Sequence, residues 1–194
     1  MSATKEKENK ARSIGIDLGT THVVLATAEG EGSPTLLEVP QLIAHGVVEP
    51  RTLLPAFLYF AAESEGPMAL PWDPSRSFAV GTFARSRGAE AAHRLITSAK
   101  SWLCHPGIDR RGGVLPLEAS SALAPDGAAD IERISPVEAS FRYLDHLADA
   151  YRLSQGDRPL ADEAIVLTVP ASFDAIAREL TVEAATVAGF ESLT

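Results

Sequence analysis

Near the start of the chain, Ile14, Ile16 and Leu18 fall on one face and Gly15 and Asp17 on the other; after Gly19-Thr20-Thr21 an apolar run follows from Val23 to Ala26. Period-two alternation, a tight turn and a second apolar run predict a β-hairpin. Glu29 to Pro34 is a turn, Thr35 to Val39 a third strand, and Leu53 to Phe60, dense in large apolar residues, a further strand. Gly66, Pro67, Pro71 and Pro74 cannot sustain regular structure, which makes Ala61 to Ser77 a surface excursion. Phe78 to Val80 reads as a short strand and Gly81 to Arg87 as a short helix.

From Arg94 the pattern turns helical, with Leu95, Ile96, Ala99, Trp102 and Leu103 on one arc until Pro106-Gly107. Asp109 to Asp130, rich in Gly, Ala, Pro and Ser, reads as a loop around one brief strand at Val114 to Leu117. Ser135 as N-cap, Pro136 at the first helical position and Glu138 at the third make a capping box. Val137, Phe141, Leu144, Ala148 and Tyr151 then stripe a helix to about Leu153. Ala164 to Val169 is almost continuously apolar and stops at Pro170, which predicts the deepest strand, covered on both sides. Asp174 caps a last helix through Val187, and Gly189 stops it. A strand meander, a helix, a buried strand and another helix predict an α/β fold with a mixed sheet flanked by helices. There is no internal repeat.

Composition bounds this picture. The 194 residues suit one domain or one large lobe, and 45% hydrophobic against 22% charged residues supply a real core. A net charge of -9 offers no basic field for a nucleic-acid backbone or an anionic membrane, so neither is expected as a partner. Cys104 is alone, which excludes an internal disulfide and agrees with a cytoplasmic location. Residues 1–12 are polar and mixed in charge and read as a disordered leader, and no apolar stretch approaches the ~20 residues of a membrane span.

One segment carries chemistry. Asp17-Leu18-Gly19-Thr20-Thr21 delivers a carboxylate to the end of a strand and then presents two hydroxyls and several backbone amides in a tight turn. Gly19 permits close backbone approach, a concave run of N–H groups favours an anion such as phosphate, and Asp17 suits a hydrated Mg²⁺. The same five residues also describe an ordinary hairpin turn. The five histidines at 22, 45, 93, 105 and 146 lack metal-ligand spacing.

Ile14-Gly-Ile-Asp-Leu-Gly-Thr-Thr21 resembles the first phosphate loop of the seventy-kilodalton heat-shock (DnaK-type) chaperone family. Four further stretches resemble the same family in the same order: Arg51 to Phe60, Val80-Gly-Thr-Phe-Ala84, Ile134-Ser-Pro-Val-Glu-Ala139, and Leu167-Thr-Val-Pro-Ala-Ser-Phe-Asp174 with Arg178, Glu179 and Ala188-Gly189. The resemblance covers nearly everything from Ser13 to Thr194 and implies the first lobe of an actin-like (ribonuclease H-like) ATPase domain. It implies ATP or ADP with Mg²⁺ as ligands, Gly19, Thr20, Thr21 and His22 at the phosphates, and Asp17 holding Mg²⁺ through water. It also implies Lys100 as the catalytic lysine, and Pro170 with Arg178 as an interdomain switch. Without the resemblance, Lys100 reads as a lysine snorkelling from the flank of a buried helix.

His22 stands where the family usually has Asn, and Gly66 to Pro74 looks like an insertion, so the chain reads as a divergent member. The family's second lobe and downstream domain would lie beyond Thr194, and with one wall of the cleft the chain is expected to bind nucleotide weakly and hydrolyse none. Partners implied are that second lobe and domain, co-chaperones and client polypeptides. Two alternatives stay open: a catalytically silent nucleotide-binding scaffold, and a sugar or acid kinase of the same fold.

Overall fold

A computed structural model describes residues 12–117, 131, 133–156 and 159–194. Ten strands and four helices follow the order β1 (Arg12–Leu18), β2 (His22–Glu29), β3 (Thr35–Leu36), β4 (Val39–Ala44), β5 (Val47–Arg51), β6 (Leu54–Pro55), β7 (Phe57–Phe60), β8 (Phe78–Val80), α1 (Thr82–Gly88), β9 (Leu95–Thr97), α2 (Ala99–Trp102), α3 (Pro136–Gln155), β10 (Ala164–Thr168) and α4 (Ala175–Val187).

The main sheet has the order β10-β1-β2-β3, with β6 also paired to β2. β1 and β2 form the expected antiparallel hairpin, and β10 lies parallel to β1 with Asp17 opposite Thr168. The sheet is therefore mixed. Ile14, Ile16, Leu18, Val23, Leu25 and Ile165 point to the face that joins Leu144, Leu147, Ala148 and Tyr151 of α3 and Ala184 and Ala185 of α4 in the principal core. Arg12, assigned from sequence to the leader, is the first residue of β1 and pairs with Glu29; residues 1–11 lie outside the described residues.

The opposite face of this sheet corrects the reading of β10. Gly15, Asp17, Ala164, Val166 and Thr168 are exposed there, with Val166 at 49%. Near-continuous apolarity signals a strand buried on both sides when both covering layers are present. Among the described residues only one layer covers β10.

The run Leu53 to Phe60 divides between two sheets: Leu54 pairs with Val23, whereas Phe57 to Phe60 forms the centre of a three-stranded antiparallel sheet β8-β7-β9. The expected third strand is likewise split, with Thr35 and Leu36 in β3 and Val39 opening the β4–β5 hairpin. That hairpin turns at Gly46, whose φ of 70° is costly for other residues. Pro40 opposite Pro50 obscured it, because proline within a run ordinarily argues against a strand.

The helix expected from Arg94 to Leu103 is not continuous. Leu95–Thr97 is strand β9, Ser98 turns the chain through a left-handed conformation (φ 55°, ψ 31°), and Ala99–Trp102 is a single helical turn. In so short an apolar run, strand pairing with β7 supplies more buried contact than an isolated turn and a half of helix. The excursion from 61 to 77 contains no long element but is not merely superficial, since Met68 and Leu70 are buried against Tyr59, Phe83 and Ala84.

The caps behave as the residue types predict. Ser135 Oγ accepts from Glu138 N at 3.0 Å, although the Glu138 carboxylate is occupied by Arg142. Asp174 Oδ1 accepts from Ala177 N at 2.7 Å, and Gly189 follows α4 with φ 102°. The brief strand expected at 114–117 is reduced to a single bridge between Leu115 and Ile134, and the loop residues 118–130 lie outside those described. No helix among the described residues is long and apolar enough to cross a membrane.

Candidate functional site

Asp17 and Thr168 occupy the ends of two adjacent parallel strands, each followed by a sharp change of direction. In α/β sheets, ligands gather outside the carboxyl ends of parallel strands, where side chains and loop amides converge. The turn after β1 is tight. A Cβ on Gly19 would sit 2.3 Å from the His22 carbonyl oxygen, so only glycine fits without moving backbone. Thr20 and Thr21 are exposed, and the turn is pinned from behind by Ala56 N donating to Thr21 O at 2.9 Å. His22 is half-buried and opens β2 opposite Pro55. Gly19→Ala is expected to cost about 2 kcal/mol of unfolding free energy in urea melts, because the clash is with main chain.

Lys100 reaches this region by a route different from the one the periodicity suggested. The left-handed Ser98 corner and the single turn α2, which packs on α3, leave Lys100 only 8% exposed. Its ammonium stands 5.7 Å from the centre of the Phe173 ring. Burial lowers its pKa, and the negative charge of Asp17 opposes that shift by favouring the cation. Asp17 and Lys100 thus act on one another electrostatically.

Pro170 and Arg178 lie at the next turn. Pro170 O accepts from Phe173 N at 3.1 Å, which fixes the reversal from β10 into α4, and Phe173 packs with Leu103, Ala177 and Leu180. Arg178 is exposed on the first half of α4. Asp174 beside it is engaged instead by Arg110 at 2.7 and 2.9 Å, and that ion pair with the Ala177 amide holds its carboxyl down at about 2. The structure therefore sets Lys100 within electrostatic reach of Asp17, which the 19–21 turn follows, joins Pro170 to Lys100 through Phe173, and leaves Arg178 at the periphery.

Three contributors were not read from sequence: Ser98, Phe173 in this role, and Thr168, whose Oγ1 donates to Asp17 Oδ1 at 2.9 Å. A threonine ending an otherwise aliphatic strand was the available signal for the last.

Similarity to known proteins bears on what this arrangement serves. The chain is 30% identical over 185 residues to chaperone protein HscA of Enterobacter sp. (strain 638), covering 93% of this chain and 26% of that protein. It is 30% identical over 193 residues to an HscA homolog of Methylococcus capsulatus, with 95% and 26% covered. HscA of Cronobacter sakazakii is 32% identical over 184 residues, with 92% and 26% covered. Over nearly its whole length the chain is similar to heat-shock protein 70-type chaperones of the HscA kind, at a divergent level of identity. No family model matches it. It spans about a quarter of the length of the curated relatives it matches.

Proposed function

We propose that this chain is the first lobe of an actin-like, ATP-binding and ATP-hydrolysing domain of an Hsp70-type chaperone. The observation that carries the reading is the convergence of Asp17, the glycine-dependent turn and Lys100 at the carboxyl ends of β1 and β10. The residues fit the ligands implied: a turn too close for any Cβ lets backbone amides approach phosphate oxygens, and an exposed carboxylate suits a hydrated hard cation.

In this reading the amides of Gly19 to Thr21 and the two threonine hydroxyls hold the phosphates, with His22 at the edge of the turn. Asp17 orients waters of Mg²⁺, and Mg²⁺ when bound neutralises phosphate charge. Lys100 is a cation preorganised by burial and by Phe173, so its charge reaches the phosphoryl oxygens, or positions the attacking water, with little reorganisation. Pro170 and Arg178 relay the state of the site towards the rest of a longer protein: a second lobe completing the cleft, a downstream domain, co-chaperones and clients, in the cytoplasm.

The chain alone offers one wall. Titration with Mg-ATP is expected to shift the amide resonances of Leu18 to His22 only at millimolar nucleotide, with no turnover. Micromolar affinity by calorimetry would overturn the one-wall argument, and shifts confined to other surfaces would overturn the assignment of the turn.

A further inference from the structure

Thr168 Oγ1 has two acceptors in reach: Asp17 Oδ1 at 2.9 Å and Ile16 O at 3.3 Å. A hydroxyl has one proton to give, and the shorter, charge-assisted partner takes it. Thr168 and Asp17 are direct neighbours in the parallel ladder, on the same exposed face of the sheet. An exposed hydroxyl can be satisfied by water, so the fold does not require this bond. What the bond does is local. It engages one carboxylate oxygen and fixes the plane of the other, and because threonine is branched at Cβ its own χ1 is stiff, so the donor is held in place by the strand.

We propose that Thr168 is a positioning residue: its hydroxyl orients the Asp17 carboxylate towards the cation that the phosphate turn receives. This rests on the reading of Asp17 given above. Partners that hydrogen-bond a metal-facing carboxylate set its orientation, and their loss typically weakens metal binding by about tenfold or more. The hydroxyl is what the role requires: valine has the same shape without the donor, and serine keeps the donor.

The experiment uses Mn²⁺ alone as the probe, added to the ¹⁵N-labelled 194-residue chain, and reads paramagnetic broadening of the Leu18 to Thr21 amides. Wild type and Thr168→Ser are expected to broaden at similar Mn²⁺ concentrations, whereas Thr168→Val requires about tenfold more. All three should melt within about 3 °C of one another, the shift for a change near 1 kcal/mol in a chain of this size. Thr168→Ala, which also removes the hydroxyl, should repeat the valine result and guards against an effect of the added methyl. Broadening in Thr168→Val equal to wild type, while Asp17→Asn abolishes it, would overturn the role of Thr168 alone. Broadening that survives Asp17→Asn, or is absent in wild type, would instead overturn the reading of Asp17 as the metal-facing carboxylate.

Discussion

Lys100→Met is expected, on the proposed reading, to slow single-turnover ATP hydrolysis by about a hundredfold or more when the chain is joined to the proposed second lobe, with Mg-ATP affinity within about threefold of wild type. The split follows from where the charge sits. The ammonium is nearly buried, faces Phe173 and is favoured as a cation by Asp17, so it costs the site no rearrangement when negative charge shifts during phosphoryl transfer. Ground-state phosphates, in the proposed reading, are held chiefly by the turn amides. Methionine keeps the length and apolar stem that pack in α2, so the thermal midpoint should hardly change. Unaltered hydrolysis in this variant would overturn the role of Lys100, and no hydrolysis in the wild type would favour the silent-scaffold reading. The kinase alternative differs at the Leu167-Thr-Val-Pro-Ala segment, which ends here at the Pro170 turn beneath Lys100.

The second large effect concerns stability. His146 is wholly buried on α3, and its Nε2 lies 2.9 Å from Pro40 O. A carbonyl can only accept, so Nε2 carries the proton and Nδ1 accepts from Arg76 Nη1 at 3.1 Å. Arg76 itself is buried, lies over the Phe78 ring at 4.2 Å and approaches Asp145 at 4.0 Å. Burial, reinforced by the Arg76 charge, lowers the pKa of His146 from 6.5 to about 3. Between those values the unfolded chain binds a proton that the folded chain refuses, so stability rises with pH through this window and is lost on acidification.

The expected loss attributable to His146 is about 2 kcal/mol between pH 7 and pH 5, at up to about 1.4 kcal/mol per pH unit. His146→Gln can donate to Pro40 and accept from Arg76, and should remove that part of the slope in urea melts compared across pH. An unchanged slope would show that the imidazole titrates freely. Arg76→Ala leaves Nδ1 and Asp145 without their cation and is expected to cost about 3 kcal/mol at pH 7.

Much of the fold was legible because local signals agreed with tertiary demand. Alternation over 14–18, the Ser135-Pro136 start of α3, and Asp174 and Gly189 at the ends of α4 each have a mechanism that acts within a few residues. The errors fell where partners are distant. Leu95, Ile96 and Ala99 lie on a helical arc, yet β7 captures the first two as a strand, and a left-handed Ser98 is not signalled by residue type. The prolines at 40 and 50 masked a real hairpin. Within the site, Asp17 and Gly19 could be found by local pattern, but Thr168 and Phe173 matter only through their distance to Asp17 and Lys100.

By itself the sequence determined the elements whose causes are local: the first hairpin and its glycine turn, the capped helices and the apolar stripes that face the principal core. Close packing at Gly19 is written into the residue, because any side chain would strike the His22 carbonyl. Only the tertiary structure decided that β10 runs parallel to β1 with one face open, and that a single-turn helix after a left-handed corner carries Lys100 towards Asp17. Those outcomes depend on contacts between segments far apart in the chain, whose energies emerge only when distant surfaces are packed together and water is excluded between them.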